Sequence, residues 1–182
     1  MTNPAYVSAM TVLLRAAAAV AVLALVAPAA PASAGSSPRL NGHWVVKTKI
    51  TYDKNSPSNV GSVAKKRWSF TAQCDAPEAC ATTLVRPRNT GHPKTVTTVL
   101  HPDGSQYAGT QVYKSACFLY SGGIVEKAYT ITEKTTINVT KTDANNAATA
   151  FGGKLVLLFA PTTAGKNHNC HADKIVLKLH SV

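Results

Sequence analysis

The stretch Trp68-Ser69-Phe70-Thr71-Ala72-Gln73-Cys74-Asp75-Ala76-Pro77-Glu78-Ala79-Cys80 decides the fold class. Trp68, Phe70, Ala72 and Cys74 recur on one side at period two, with Ser69, Thr71 and Gln73 on the other. That alternation is the signature of a half-buried strand. A turn carrying Asp, Pro and Glu follows, bracketed by two cysteines, and the next strand begins beyond Cys80. The stretch contains no group that must do chemistry.

Working outward from it, residues 43–53 alternate in the same way. Trp44, Val46, Thr48, Ile50 and Tyr52 share one face, and Val45, Lys47, Lys49 and Thr51 share the wet one. Residues 53–61 are turn material, and the strand that carries Trp68 starts near residue 64, so these two make a hairpin. Downstream, residues 82–85 read as a third strand, stopped by the prolines and glycine of residues 86–93, which read as an exposed loop. A fourth strand is expected over residues 94–101, and Pro102-Asp103-Gly104 supplies the fixed φ and the permissive glycine of a tight reversal. The fifth covers residues 106–113, with residues 117–120 extending it or starting a short strand of their own. Tyr129, Ile131, Thr135, Ile137 and Val139 mark a long sixth strand over residues 127–140. Asp143-Ala144-Asn145-Asn146 turns it into a seventh over residues 147–160, where Gly152-Gly153 is expected to make a bulge or bend. The eighth is residues 175–180. No segment beyond the leader has helical periodicity. Eight evenly spaced strands define an all-β chain, a single closed antiparallel barrel or, as the alternative, a two-sheet sandwich. Closure is preferred because it removes exposed edges.

At the front of the chain, Arg15 opens an apolar run over residues 16–26, followed by Pro28, Pro31 and the small-residue end Ala32-Ser33-Ala34. This reads as a secretory signal peptide over residues 1–34. The run is shorter than the ~20 residues a helix needs to cross a bilayer. The expected organisation is therefore a leader, a short flexible segment at 35–40, and one monomeric β domain at 41–182 in an extracellular protein. Cys74, Cys80, Cys117 and Cys170 then imply two disulfides among three possible pairings. The five-residue turn favours Cys74 with Cys80, leaving Cys117 with Cys170.

The chain has 19 Lys and Arg against 8 Asp and Glu, a net charge of +11, so a neutral or acidic partner is expected. Lys47, Lys49, Lys65, Lys66, Arg67, Arg86 and Arg88 are candidates for a basic outer face that contacts an anionic cell-envelope polymer or another protein. The same lysines also serve to solvate a sheet and discourage edge pairing. Sequence-specific nucleic-acid binding is not expected, since no helix for a major groove is visible. His168-Asn169-Cys170-His171 is the one dense group of potential ligands, but the disulfide claims Cys170 and no third ligand is evident, so no metal and no cofactor are expected. No nucleophile elbow, zinc-protease motif, phosphate loop or dinucleotide turn occurs, and no catalytic residue is assigned.

Gly42-His43-Trp44, at the mouth of the first strand, resembles the Gly-x-Trp opening of lipocalins and related calycin barrels. The resemblance implies an up-and-down barrel of eight strands with the tryptophan plugging the closed end and a small apolar ligand inside. The chain lacks the family's later Thr-Asp-Tyr-like turn and its arginine near the last strand, Arg88 being the last arginine here. In composition the chain is also similar to the small alanine- and threonine-rich secreted β domains of GC-rich Gram-positive bacteria. Two functions follow as expectations: a lipocalin-like carrier with Trp44, Trp68, Phe70, Tyr107 and Phe159 lining or closing a cavity, or an interaction module that works through its basic face. A third, a secreted enzyme, would need a cleft where a histidine and a carboxylate converge.

Overall fold

Alternation of apolar and polar side chains recurs along each long strand, and the strands are paired so that the apolar sides all face one interior. The computed structural model describes residues 37–74, 80–88, 94–119 and 121–182. Eight strands follow one another: β1 (Gly42–Asp53), β2 (Val63–Ala72), β3 (Thr82–Pro87), β4 (Thr95–Asp103), β5 (Gln106–Phe118), β6 (Ile124–Thr142), β7 (Ala148–Pro161) and β8 (Asp173–Ser181). Each pairs antiparallel with its sequence neighbours, and β8 returns to β1, so the sheet is a closed barrel rather than a sandwich. The seam between β4 and β5 is short, joined only where His101–Asp103 meets Gln106–Ala108. The reading of residues 1–34 as a signal peptide falls outside the described residues, as does the turn at 75–79. No helix among the described residues is long and apolar enough to cross a membrane.

One end of the barrel is packed solid. Leu40, Val46, Phe70, Leu84, Leu100, Tyr107, Ile137, Phe151 and Leu179 are buried there, with Trp44 packed against them. Phe151 is the hub: its ring meets Trp44 edge-on at 5.0 Å and Phe70 at 5.5 Å. Edge-to-face contacts of this kind add to what burial alone supplies. Residues 37–40, expected to be a flexible leader, instead seal this end. Leu40 is fully buried, its carbonyl accepts a hydrogen bond from Thr82 Oγ1 at 2.6 Å, and Tyr107 Oη donates to the Pro38 carbonyl at 2.7 Å. Arg39 bridges Ala147 in parallel. The carbonyls of residues 37–40 and the Arg39 N–H are thereby paired while the segment's leucine fills the core.

Two local features depart from the sequence reading, and a third chooses between its alternatives. β7 runs through Gly152 and Gly153 in regular register with β6, and the register shifts fall opposite Phe151 and Ala150 instead. Gly153 is needed for close approach, because a Cβ there would overlap the Thr136 carbonyl oxygen. Of the two readings of the segment after residue 113, extension is the one observed, with β5 continuing through a register shift after Ser115 to reach Phe118. A five-residue helix, α1 (Thr163–Asn167), follows β7, with Thr162 Oγ1 accepting from Gly165 N at 3.3 Å. One helical turn is too short to show a period.

Both disulfides join the expected partners: Cys74 with Cys80 at a Cα separation of 5.9 Å, and Cys117 with Cys170 at 6.4 Å. The second clamps the start of β8 and the loop before it to the end of β5, at the end of the barrel away from Phe151.

Candidate ligand-binding cavity

The inward series of β6 reads Tyr129, Ile131, Glu133, Thr135, Ile137, and that of β3 reads Thr82, Leu84, Arg86. Each therefore carries one charged group into the interior. Three strand positions separate β3 from β6, so Arg86 and Glu133 reach each other across the barrel. Arg86 Nε donates to Glu133 Oε1 at 2.7 Å, and Arg86 Nη2 donates to Oε2. Glu133 is fully buried and the Arg86 side chain nearly so. Removing both charges from water is expensive, and a bidentate fork is the geometry that best offsets it.

Tyr113, inward on β5, completes the cluster by donating from Oη to Glu133 Oε2 at 3.1 Å. Burial, and then the neighbouring Glu133 carboxylate, push its hydroxyl up to about 12 against the opposing pull of Arg86 and Arg88. It therefore remains a neutral donor at physiological pH. Just past β3, the Arg88 guanidinium lies 5.0 Å from the centre of the Tyr113 ring and donates to Ser115 Oγ at 3.0 Å. A cation over an aromatic face is held by the ring quadrupole.

Arg86, Arg88, Tyr113 and Ser115 form one wall of a cavity of about 700 Å³, with Glu133 buried behind them. The facing wall is apolar: Ile50 of β1, Leu155, Leu157 and Phe159 of β7, and Ile175 and Leu177 of β8. Trp68 stands between the cavity and the packed end, lining the first and belonging to the second. At the opposite end the lining includes the exposed Asn59 and Phe118, which places the mouth beside the β1–β2 connection and the Cys117–Cys170 disulfide. Tyr129, whose ring meets Phe159 edge-on at 5.6 Å, lies near the same mouth, and burial followed by the Asp173 carboxylate raises its hydroxyl. A concave, mostly preformed space with an apolar side and a few convergent polar groups is the usual form of a small-molecule site.

Of the five residues read from the sequence as ligand-facing, Trp68 and Phe159 line this cavity, whereas Trp44, Phe70 and Tyr107 belong to the packed end that closes it. The basic candidates divide further. Lys49, Lys65 and Arg67 are exposed and Lys47 is half-buried on the outer side. Arg86 is not on an outer face: it shares the inward side of β3 with Leu84, and Glu133 draws it there. Arg88 lines the cavity, and Lys66 pairs with Val46 in the inward register next to Trp68. Tyr113, which lines the cavity, and Glu133, which holds Arg86 and Tyr113 from behind, are residues that sequence reasoning missed. A signal for Glu133 was present, since a carboxylate at period two among Ile131, Thr135 and Ile137 on a strand calls for a buried cation. Among the described residues no histidine lines the cavity, and His43 is occupied outside by Ser69 Oγ at 2.8 Å.

In comparison with known proteins, the chain matches no family model, no curated protein and no solved structure. The geometry of the cavity alone carries the functional reading.

Proposed function

We propose that this protein is a secreted carrier that holds a small, largely apolar molecule inside its barrel. The observation that carries this reading is the cavity of about 700 Å³ with an apolar wall from β1, β7 and β8 facing Arg86 and Tyr113, which Glu133 holds in place from behind. The apolar side provides affinity through burial at ~25 cal/mol per Å² of apolar surface. The polar side fixes which end of the guest points inward. Two disulfides and the leader composition support an extracellular setting.

The test is native mass spectrometry of the protein purified without reductant, followed by fluorescence titration with anilinonaphthalene sulfonate. Saturable binding is expected to change little between low and high salt, because burial rather than surface charge holds the guest. Leu177→Trp, which fills the apolar wall, is expected to weaken binding at least tenfold while leaving the circular dichroism of the barrel intact. Equal binding by the folded variant would place the probe elsewhere and overturn the carrier reading.

A further inference from the structure

The strand pairing sets like charges against one another on the outside of the barrel. Lys47 lies directly opposite Lys65 of β2, with His180 of β8 on its other side. Two residues along β1, Lys49 lies opposite Lys178, which in turn lies opposite Lys154 of β7. Lys134 of β6 sits diagonally beyond, since its neighbour Val156 is two residues from Lys154. All of these are exposed except Lys47, which is half-buried. Strands in a sheet are ~4.8 Å apart, so the ammonium stems of a row start from adjacent positions.

Like charges directly opposite on neighbouring strands destabilise a sheet. Lysines that only kept the protein soluble would be spread, or interleaved with carboxylates. Here three cross-strand pairs are lysine on lysine, no carboxylate interrupts the rows, and the one ion pair among the described residues is the buried Arg86–Glu133. A face that keeps this repulsion is matched to something that relieves it.

We infer that these rows are a docking surface for a flexible linear polyanion, a polymer with an anionic group on each repeat, laid around the barrel across β2, β1, β8, β7 and β6. The rows run across strands, and five consecutive strands of eight cover more than half of the circumference. A flat anionic bilayer touches only a strip of so convex a surface, whereas a flexible chain follows it. The surface is separate from the cavity, because these side chains occupy outward positions, and it holds whether or not the barrel carries a guest.

The experiment is fluorescence anisotropy with end-labelled linear polyphosphate on the disulfide-bonded protein, repeated with phosphatidylglycerol vesicles. Polyphosphate is expected to bind with an affinity that falls steeply with salt. The triple variant Lys49→Gln, Lys154→Gln, Lys178→Gln should reduce the log–log salt slope by about 2, at ~0.7 for each lysine–phosphate pairing removed from a flexible strand. The same variant should melt at a higher temperature, because the repulsion is gone, which separates weakened binding from impaired folding. Lys94→Gln, at an exposed position beside β4 on the far side of the barrel, should change neither quantity. Absence of polyphosphate binding at low salt, binding to vesicles alone, or an unchanged slope in the triple variant would each overturn the proposal.

Discussion

Glu133 is a carboxylate placed where an aliphatic side chain would be the ordinary choice, and Arg86 supplies the charge that compensates it, with Tyr113 adding a neutral hydrogen bond. Deleting one partner strands the other charge in the interior. Glu133→Ala is expected to cost about 3–5 kcal/mol, read as a lowered urea midpoint. The joint replacement Arg86→Met with Glu133→Leu should recover most of that loss, since an apolar pair of similar volume avoids the desolvation penalty. Tyr113 makes a second, pH-dependent prediction. Its hydroxyl is raised to about 12 by burial and by Glu133, whereas an unfolded tyrosine titrates near ~10. The folded state therefore binds the proton more tightly. This contribution is fully present below about pH 10 and is lost as pH rises towards 12. Unfolding measured at pH 9 and at pH 11 should show a steeper decline for the wild type than for Tyr113→Phe, and parallel declines would refute the assignment.

At the scale of elements, strand positions were largely legible in the sequence because alternation and turn chemistry are local. The Pro102-Asp103-Gly104 reversal and the Asp143–Asn146 turn lie where their residues predict, the latter held by Asp143 Oδ1 accepting from Asn145 N and Ala147 N at 2.9 Å each. The sealing segment was not legible, because Ser37 to Leu40 has no period, and its order comes from partners more than a hundred residues away, such as Asn146. Arg86 was hidden for a similar reason: the inward parity of β3 is visible in Thr82 and Leu84, but the cation that continues it stands beside a proline and reads as the start of the loop. The glycine pair in β7 gives contrasting expectations. Gly153→Ala drives a methyl into the Thr136 carbonyl and should cost about 1–3 kcal/mol. Gly152→Ala meets nothing closer than the Leu179 carbonyl at 3.6 Å and should be neutral or slightly stabilising through the unfolded chain. Thermal melts of the two variants distinguish close approach from a bulge. Removing the long disulfide by Cys117→Ser with Cys170→Ser releases a sequence separation of 53 and should cost about 4 kcal/mol, roughly twice the effect of removing Cys74–Cys80.

Over the barrel as a whole, one end is filled and the other hollow, and the sequence could show neither, since cavity volume depends on how opposite walls meet. The short β4–β5 seam is the weakest join in an otherwise continuous ladder. Hydrogen exchange should therefore be fastest among amides of Thr95–Val99 directed towards β5 and slowest in the centre of β6, which is paired along its length on both sides. Uniform protection around the barrel would show that the seam does not open first. The closing pair has a different consequence. Seven of the eight joins link strands adjacent in sequence and can form as successive hairpins, but the eighth brings residues 46–53 of β1 against 175–181 of β8. Bringing such distant segments together carries the loop-closure entropy that slows folding. A growing chain emerging from a ribosome or a translocation channel can assemble the meander as it appears, yet one edge of its first strand stays open until the last strand arrives.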